Sequence, residues 1–394
     1  MSHNVYYKLN KIHNMGDNYH QQLGVKNKKG AIFKDEYCSK TILKTDANII
    51  RISCGGSYTI IYDQNRNLYG YGYNNNGQLG LGHNIMSMLP TMIMTKVQIT
   101  DIACGHCHTL ILQNSGIVLV CGSNSSGQLG LPNIRSVLKF TFLATNIKKI
   151  AAGAWHSMML DHNNDLYVFG YNSDGQLGLG HSYNISKPVL LMNDNINIIA
   201  CGYYHSIIYK NNGELYASGK LRPSISDFCC SGPKLITTNP NIRQICNGWG
   251  FSTFVTNDDN CYVFGYNSLG GLGFENGIGK KDPTLIMQNV KSTYCREHSI
   301  LALKTNGDLY VWGFNNKCQL GFKPYKDCIN TPKLLTSKVD LIPNQIIPTI
   351  WSPDNQRLFT WSFQKKIITL LSCLYKIKIH VPKFVFFEII NAAI

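Results

Sequence analysis

Charge is scarce in this sequence. Asp, Glu, Lys and Arg supply only 15% of the 394 residues, and 22 acidic residues face 37 basic ones. The surplus of +15 is scattered; Lys26, Lys28 and Lys29, and the pair Lys365 and Lys366, come nearest to clusters. Without a block of like charges there is no dedicated polyanion grip, so nucleic acid is not the expected partner and the excess reads as basic surface. Long apolar runs are missing too. The most apolar late stretch, Ile367 to Ile379, is broken by Lys376 and Lys378, which excludes a bilayer-spanning helix there. The opening MSHNVYYKLNK is polar, so the expectation is a chain without a secretory signal, intracellular, with its 14 cysteines reduced. No G-x-x-x-x-G-K-[ST] string, nucleophile elbow or zinc-protease helix occurs. The reading is therefore no enzyme, with no catalytic residue, cofactor or metal to assign.

What is abundant is repetition. One phrase reads LYGYGYNNNGQLGLG at 68–82, VLVCGSNSSGQLGL at 118–131 and LYVFGYNSDGQLGLG at 166–180. It returns as CYVFGYNSLGGLGF at 261–274 and LYVWGFNNKCQLGF at 309–322, with a truncated copy at 215–220 and a worn one at 14–25. Gly16, Gly72, Gly122, Gly170, Gly219, Gly265 and Gly313 end its apolar runs, and Gly80, Gly130, Gly178, Gly273 and Gly321 close its turns. A second phrase keeps phase with it: CGGSYT, CGHCHT, AGAWHS, CGYYHS, NGWGFS and CREHS. A fixed period of this size means one structural unit packed against copies of itself. Between the phrases lie apolar strands joined by turns such as Asn211-Asn212-Gly213. Their apolar residues do not alternate with polar ones, so each sheet is expected to be covered on both faces. Four short strands in each unit are the content of one propeller blade.

These G-x-x-H-S/T and L-Y-x-x-G-x-N-x-x-G-Q-L-G strings resemble the regulator of chromosome condensation repeat. The resemblance covers about residues 5–335 and implies an all-β fold, a seven-bladed β-propeller occupying 1–345. The family's founding member is an exchange factor for a small nuclear GTPase and docks on nucleosomes. The resemblance therefore raises two partners, a small GTPase and chromatin. No string here matches the family's exchange face, and no basic N-terminal tail is present, so no exchange residue is assigned. The reading placed first is a monomeric, non-catalytic scaffold for a protein partner.

Individual residues fit a structural reading. His108, His156, His205 and His298 recur at one repeat position, where Tyr58 and Phe251 stand in other copies. A catalytic histidine is needed once, so these are expected to be buried and hydrogen-bonded to backbone within each blade. Cys104-Gly-His-Cys107-His108 has the look of a metal motif, yet Cys104 shares its slot with Cys54, Ala152 and Cys201, which makes it a small packing residue. Gly80→Ala or Gly178→Ala should cost on the order of 1–2 kcal/mol through backbone strain. The fourth copy replaces N-x-x-G-Q-L-G by 220–233, and Lys220, Arg222 and Phe228 there form a candidate partner-binding loop.

The ends differ from the repeats. The first unit has no G-x-x-H string, so its missing strand is expected from the other terminus, Val339–Ile347 beside Val5–Met15. The segment 346–394 reads as a short helical hairpin. Ser352-Pro353 opens it, Phe363, Ile367, Leu370, Leu371 and Leu374 form one face, and Val381-Pro382 starts the second helix. It is expected to cap the propeller. It also loosely resembles the ends of ubiquitin-ligase adaptor boxes, which adds a ubiquitin-ligase component to the partners considered.

Overall fold

The computed structural model describes residues 3–8, 11–16, 39–44, 48–221, 229–239, 241–267, 269–322, 327–340 and 342–343. Every regular element among them is a strand. Six four-stranded antiparallel sheets cover 49–94, 99–144, 147–193, 196–238, 242–287 and 290–336. They follow a three-stranded N-terminal sheet made of His3–Lys8, Lys11–Gly16 and Ser39–Lys44. The sheets are called first to seventh in chain order. The expected helical segment 346–394 lies outside the described residues.

The fourth sheet shows why the repeat folds as it does. Its strands are Ile147–Ala152, His156–Asp161, Asp165–Gly170 and Ile185–Asn193, paired in chain order. The second strand is buried along its whole length. That is why period-two alternation is missing: both faces of the inner strands meet another sheet. Ala151, Met158, Leu160 and Val168 of the fourth sheet pack on Ile196, Ile199 and Ile208 of the fifth. Equivalent clusters join the second sheet to the third, the third to the fourth, the fifth to the sixth and the sixth to the seventh. The apolar core thus lies between sheets, and each unit depends on its neighbours for burial.

The N-x-x-G-Q-L-G phrase is a self-contained loop staple. Asn172 donates from Nδ2 to the carbonyl of His181 at 2.8 Å and accepts from Leu177 N–H at 2.9 Å. Asn74, Asn124, Asn267 and Asn315 repeat the pattern. The acceptor arm seats the leucine, and Leu79, Leu129, Leu177, Leu272 and Leu320 are all buried. Asn172→Ala removes both arms and leaves a buried amide unpaired. It should destabilise the protein by about 2 kcal/mol, read as a lower midpoint in denaturant with an unchanged slope.

Gly80 and Gly178 have the left-handed φ expected of them, +70° and +71°. Space adds a second constraint. A Cβ on Gly80 would stand 2.4 Å from the Phe140 ring, and one on Gly178 would stand 2.8 Å from Ser218 Oγ. Strain alone therefore understates the cost of alanine at these positions. The turn at Asn211-Asn212-Gly213 divides its work between a glycine and a side chain. Only Gly213 is left-handed, at φ +90°, while Asn212 uses its side chain to accept Glu214 N–H.

The first sheet touches both the second and the seventh. His3 lies opposite Gly16, as His156 lies opposite Gly170, and its Nε2 is 2.9 Å from Thr59 Oγ1 of the second sheet. Asn4 donates to the carbonyl of Gln319 in the seventh sheet at 2.7 Å. The first unit therefore does carry the histidine position. It was hidden because no G-x-x string announces it in the sequence. Asp340 N–H donates to the Tyr7 carbonyl at 3.0 Å, beside the strand expected to receive it. Residues 341 and 344–347 of the expected clasp lie outside the described residues.

Candidate docking face and channel mouth

The repeated histidines form links between sheets. His108 Nε2 is 3.0 Å from Ser157 Oγ, His156 Nε2 is 2.9 Å from Ser206 Oγ, and His205 Nε2 is 2.9 Å from Ser252 Oγ. Each serine belongs to the next sheet. The expectation of backbone partners within one blade is thus corrected: the ring reaches across the interface to the residue after the next sheet's own slot. Ser157 Oγ donates to the Gln128 carbonyl at 2.8 Å, so its lone pairs are left to accept the His108 Nε2–H. His108, His156 and His205 are fully buried, and burial pushes each ring's pKa down to about 3, so they are neutral.

The glycine three residues before the slot is there for the ring. A Cβ on Gly105, Gly153 or Gly202 would lie 2.1–2.2 Å from the following histidine's Cε1. On Gly55 and Gly248 it would strike Tyr58 and Phe251. The seventh sheet departs at both positions together. Ser299, not His298, pairs with Gly313 and occupies the slot, and Arg296 stands where the glycine was. His298 is therefore misplaced in the sequence reading. It holds the position of Trp155 and Tyr204, one residue earlier.

That position and its neighbours build the most distinctive surface of the described residues. The two residues between glycine and slot are His106 and Cys107, Ala154 and Trp155, Tyr203 and Tyr204, Trp249 and Gly250, Glu297 and His298. The residue after the run-ending glycine joins them in the fourth, sixth and seventh sheets: Tyr171, Tyr266 and Phe314. Backbone bonds tie these loops together, as from Tyr171 N–H to the Trp155 carbonyl at 2.8 Å and from Tyr203 N–H to the Gly248 carbonyl at 3.1 Å. The rings are half-buried and contiguous. Trp155 meets His106, Tyr171, Tyr203 and Tyr204 at centroid separations of 5.1–6.0 Å. Trp249 meets Tyr204 at 5.9 Å and His298 at 4.5 Å, and His298 continues to Phe314 at 6.2 Å. The arc surrounds one mouth of a central channel whose cavity of about 120 Å³ is lined by the loop glycines with Asn247, Tyr294 and Arg296. Ligand pockets for drug-sized molecules run to about 300–1,000 Å³, so this mouth suits a surface contact better than an enclosed small molecule.

The RCC1-like domain matches residues 2–224, more than half of the chain, and the regulator of chromosome condensation (RCC1) repeat matches 306–345. The chain belongs to the RCC1-like domain family. Its fold is an all-β propeller. Human WBSCR16 is 21% identical with a TM-score of 0.71, the match covering 83% of this chain and 94% of that one. Prp20p of Saccharomyces cerevisiae, described with binding properties to Gsp1p and histones, is 20% identical with a TM-score of 0.72 over 84% of this chain and 88% of its own. A stretch of 102 residues is 29% identical to the ultraviolet-B receptor UVR8 of Arabidopsis thaliana, covering 25% of this chain and 23% of the receptor. The match to that relative therefore spans about a quarter of its length. At these identities the solved structures establish the fold alone.

In this RCC1-like propeller the assigned residues separate into three groups. His108, His156 and His205 are packing residues between sheets. The positions Gly72, Gly122, Gly170, Gly265 and Gly313 carry φ of +102° to +110°, and Gly130, Gly273 and Gly321 are left-handed like Gly80 and Gly178. Lys220 ends the third strand of the fifth sheet, at the register position of Tyr171 and Tyr266, and so belongs to the rim of the mouth. Arg222 and Phe228 lie outside the described residues. Cys104 sits in the small-residue slot by register, and His106 Nδ1 is 3.2 Å from Cys107 Sγ. Among the described residues no group of three His, Cys, Asp or Glu is placed to hold a metal, and no helix is long and apolar enough to cross a membrane. Cys318 is disulfide-bonded, against the expectation that all thiols are reduced.

The aromatic arc went unassigned in the sequence although a signal was present. Between the repeated glycine and the buried ring, successive copies read Ala-Trp, Tyr-Tyr and Trp-Gly, a run of aromatics that the repeat itself does not require.

Proposed function

We propose that this RCC1-like propeller is a non-catalytic scaffold whose aromatic mouth receives a protein partner. Its seven sheets act as one ring of seven blades, the first completed by the segment that enters at Asp340. The observation that carries the reading is the contiguous, half-buried run from His106 through Trp155, Tyr203, Tyr204 and Trp249 to His298 and Phe314. Trp and Tyr dominate binding hot spots because they bury large areas with few rotatable bonds. Mounting them on loops fixed from sheet to sheet limits the ordering lost on association.

The test is quantitative capture with the full-length protein, its Trp155→Ala and Trp249→Ala variants, and Phe142→Ala as a control on the outer strand of the third sheet. Both tryptophan variants should weaken the captured complex at least tenfold, on the order of 1.4 kcal/mol or more, with the melting temperature little changed. Phe142→Ala should bind as the parent does. Equal capture by all four proteins would remove the mouth from the function.

Exchange on a small GTPase is the second reading, supported by the fold-level likeness to Prp20p over most of the chain. It is distinguished by nucleotide release from a panel of small GTPases, each assayed with parent and Trp249→Ala protein.

A further inference from the structure

We propose that the mouth of the channel binds one small oxyanion, a carboxylate or a phosphate, on the guanidinium of Arg296. Arg296 is the one departure from glycine at its repeat position, and Ser299 leaves it the room that a histidine would have taken. Its side chain is turned inward, with 6% of the residue exposed. Nη2 donates to the carbonyls of Gly55 and Gly56 in the second sheet, reaching across the ring. Nε and Nη1 make no close hydrogen bond, so three of five N–H donors are unused in a buried position, although the Tyr294 hydroxyl lies beside the guanidinium. The ion pairs among the described residues are Arg51–Asp101, Lys210 with Asp194 and Glu214, and Arg243–Asp259, and none includes Arg296. Burial opposes the charge on Arg296, and the neighbouring Glu297 carboxylate, which lines the same cavity, favours it.

A buried guanidinium with unused donors is costly, and those donors define what would relieve the cost. The cavity beside it, about 120 Å³, has room for a carboxylate or phosphate group and no room for a nucleotide. Asn247 lines the same cavity beside His205, and neither its amide nitrogen nor its amide oxygen makes a close hydrogen bond. Two polar side chains from adjacent sheets, the sixth and the seventh, thus present open hydrogen-bonding groups to one small space. Their arrangement fits charge-assisted bonds to oxygen from Arg296 with a further donor from Asn247.

The experiment compares the full-length protein with Arg296→Gln in thermal melts. Sodium phosphate, sodium acetate and sodium chloride are used at matched ionic strength and pH. The parent should show a saturable rise of roughly 2 °C in phosphate or acetate over chloride, and Arg296→Gln should show none. Phosphate acting alone identifies a free phosphate as the ligand. Acetate acting as well identifies a carboxylate, which a partner's acidic side chain can supply. Should Arg296→Gln fail to fold, the Nε–H resonance of Arg296 in the parent is followed by NMR, where a saturable shift with either anion supports the site. Identical melts in all three salts together with an unmoved Nε–H resonance overturn it.

Discussion

Gly153→Ala will cost at least about 3 kcal/mol, enough to lower the melting temperature of the whole propeller, although it adds a single methyl group. The added Cβ would stand 2.2 Å from His156 Cε1 and 2.5 Å from the Gly202 carbonyl of the next sheet. Neither neighbour can give way cheaply. The imidazole is held by Ser206 on the fifth sheet, and the carbonyl is backbone of that sheet's own loop. Gly180→Ala is the control. Its φ of +82° is unsuited to alanine, unlike the backbone at Gly153, but nothing lies within 4 Å of the added carbon, so about 1 kcal/mol is expected. A second comparison uses the protein's own solution in the seventh sheet, where Arg296 and Ser299 replace glycine and ring together. Gly153→Ala combined with His156→Ser should be less damaging than the sum of the two single changes, with a coupling of at least about 1 kcal/mol in denaturant titration. If Gly153→Ala melts within a degree of Gly180→Ala, the ring-over-glycine account fails.

That pairing also marks how far the sequence could be read. The repeat, the four strands of each unit and the all-β propeller follow from local patterns: the period, the Gly-rich turns and the unbroken apolar strands. Loops of the N-x-x-G-Q-L-G type were legible because their asparagine, glycine and leucine bond and pack within a few residues of one another. What could not be read were relations between units. His298 was placed in the histidine row because spacing slipped by one residue, and only the pairing of Ser299 with Gly313 restores the register. His3 was overlooked because no glycine three residues earlier announces the slot, as it does in other copies. The partners of the histidines are serines roughly fifty residues away, a distance at which no local pattern points to them. The aromatic mouth escaped for a related reason. Its residues occupy different repeat positions in different copies, so they become one surface only when the sheets are set side by side.

The inter-sheet histidines give the protein a steep response to acid. His108, His156 and His205 have an ordinary pKa near 6.5 when unfolded and about 3 when buried. Burial, the leading cause, disfavours the charged ring, and no carboxylate compensates it. The folded pKa is the lower one, so the unfolded chain binds protons first. The stability these groups contribute is complete above pH 6.5 and is lost as pH falls from there toward 3. Each histidine contributes a slope of about 1.4 kcal/mol per pH unit in that window, so the three together approach 4. His3 adds to the same direction, since burial lowers its pKa as well. A domain stable by about 6–10 kcal/mol at neutral pH would then unfold at about pH 4–5. The decisive variant is His156→Phe, which copies Phe251 at the equivalent slot and keeps a large ring over Gly153. It removes one titrating group without opening a cavity. Its acid transition should move to lower pH, and proton uptake on unfolding near pH 4.5, measured by parallel denaturant titrations, should fall by about one proton. A parent that stays folded at pH 3, or a variant whose proton uptake matches the parent's, would show that these rings do not carry the acid sensitivity. A lower transition in the variant would instead show that one buried link between adjacent sheets sets the pH at which the entire ring gives way, because no sheet of this propeller can bury its apolar faces alone.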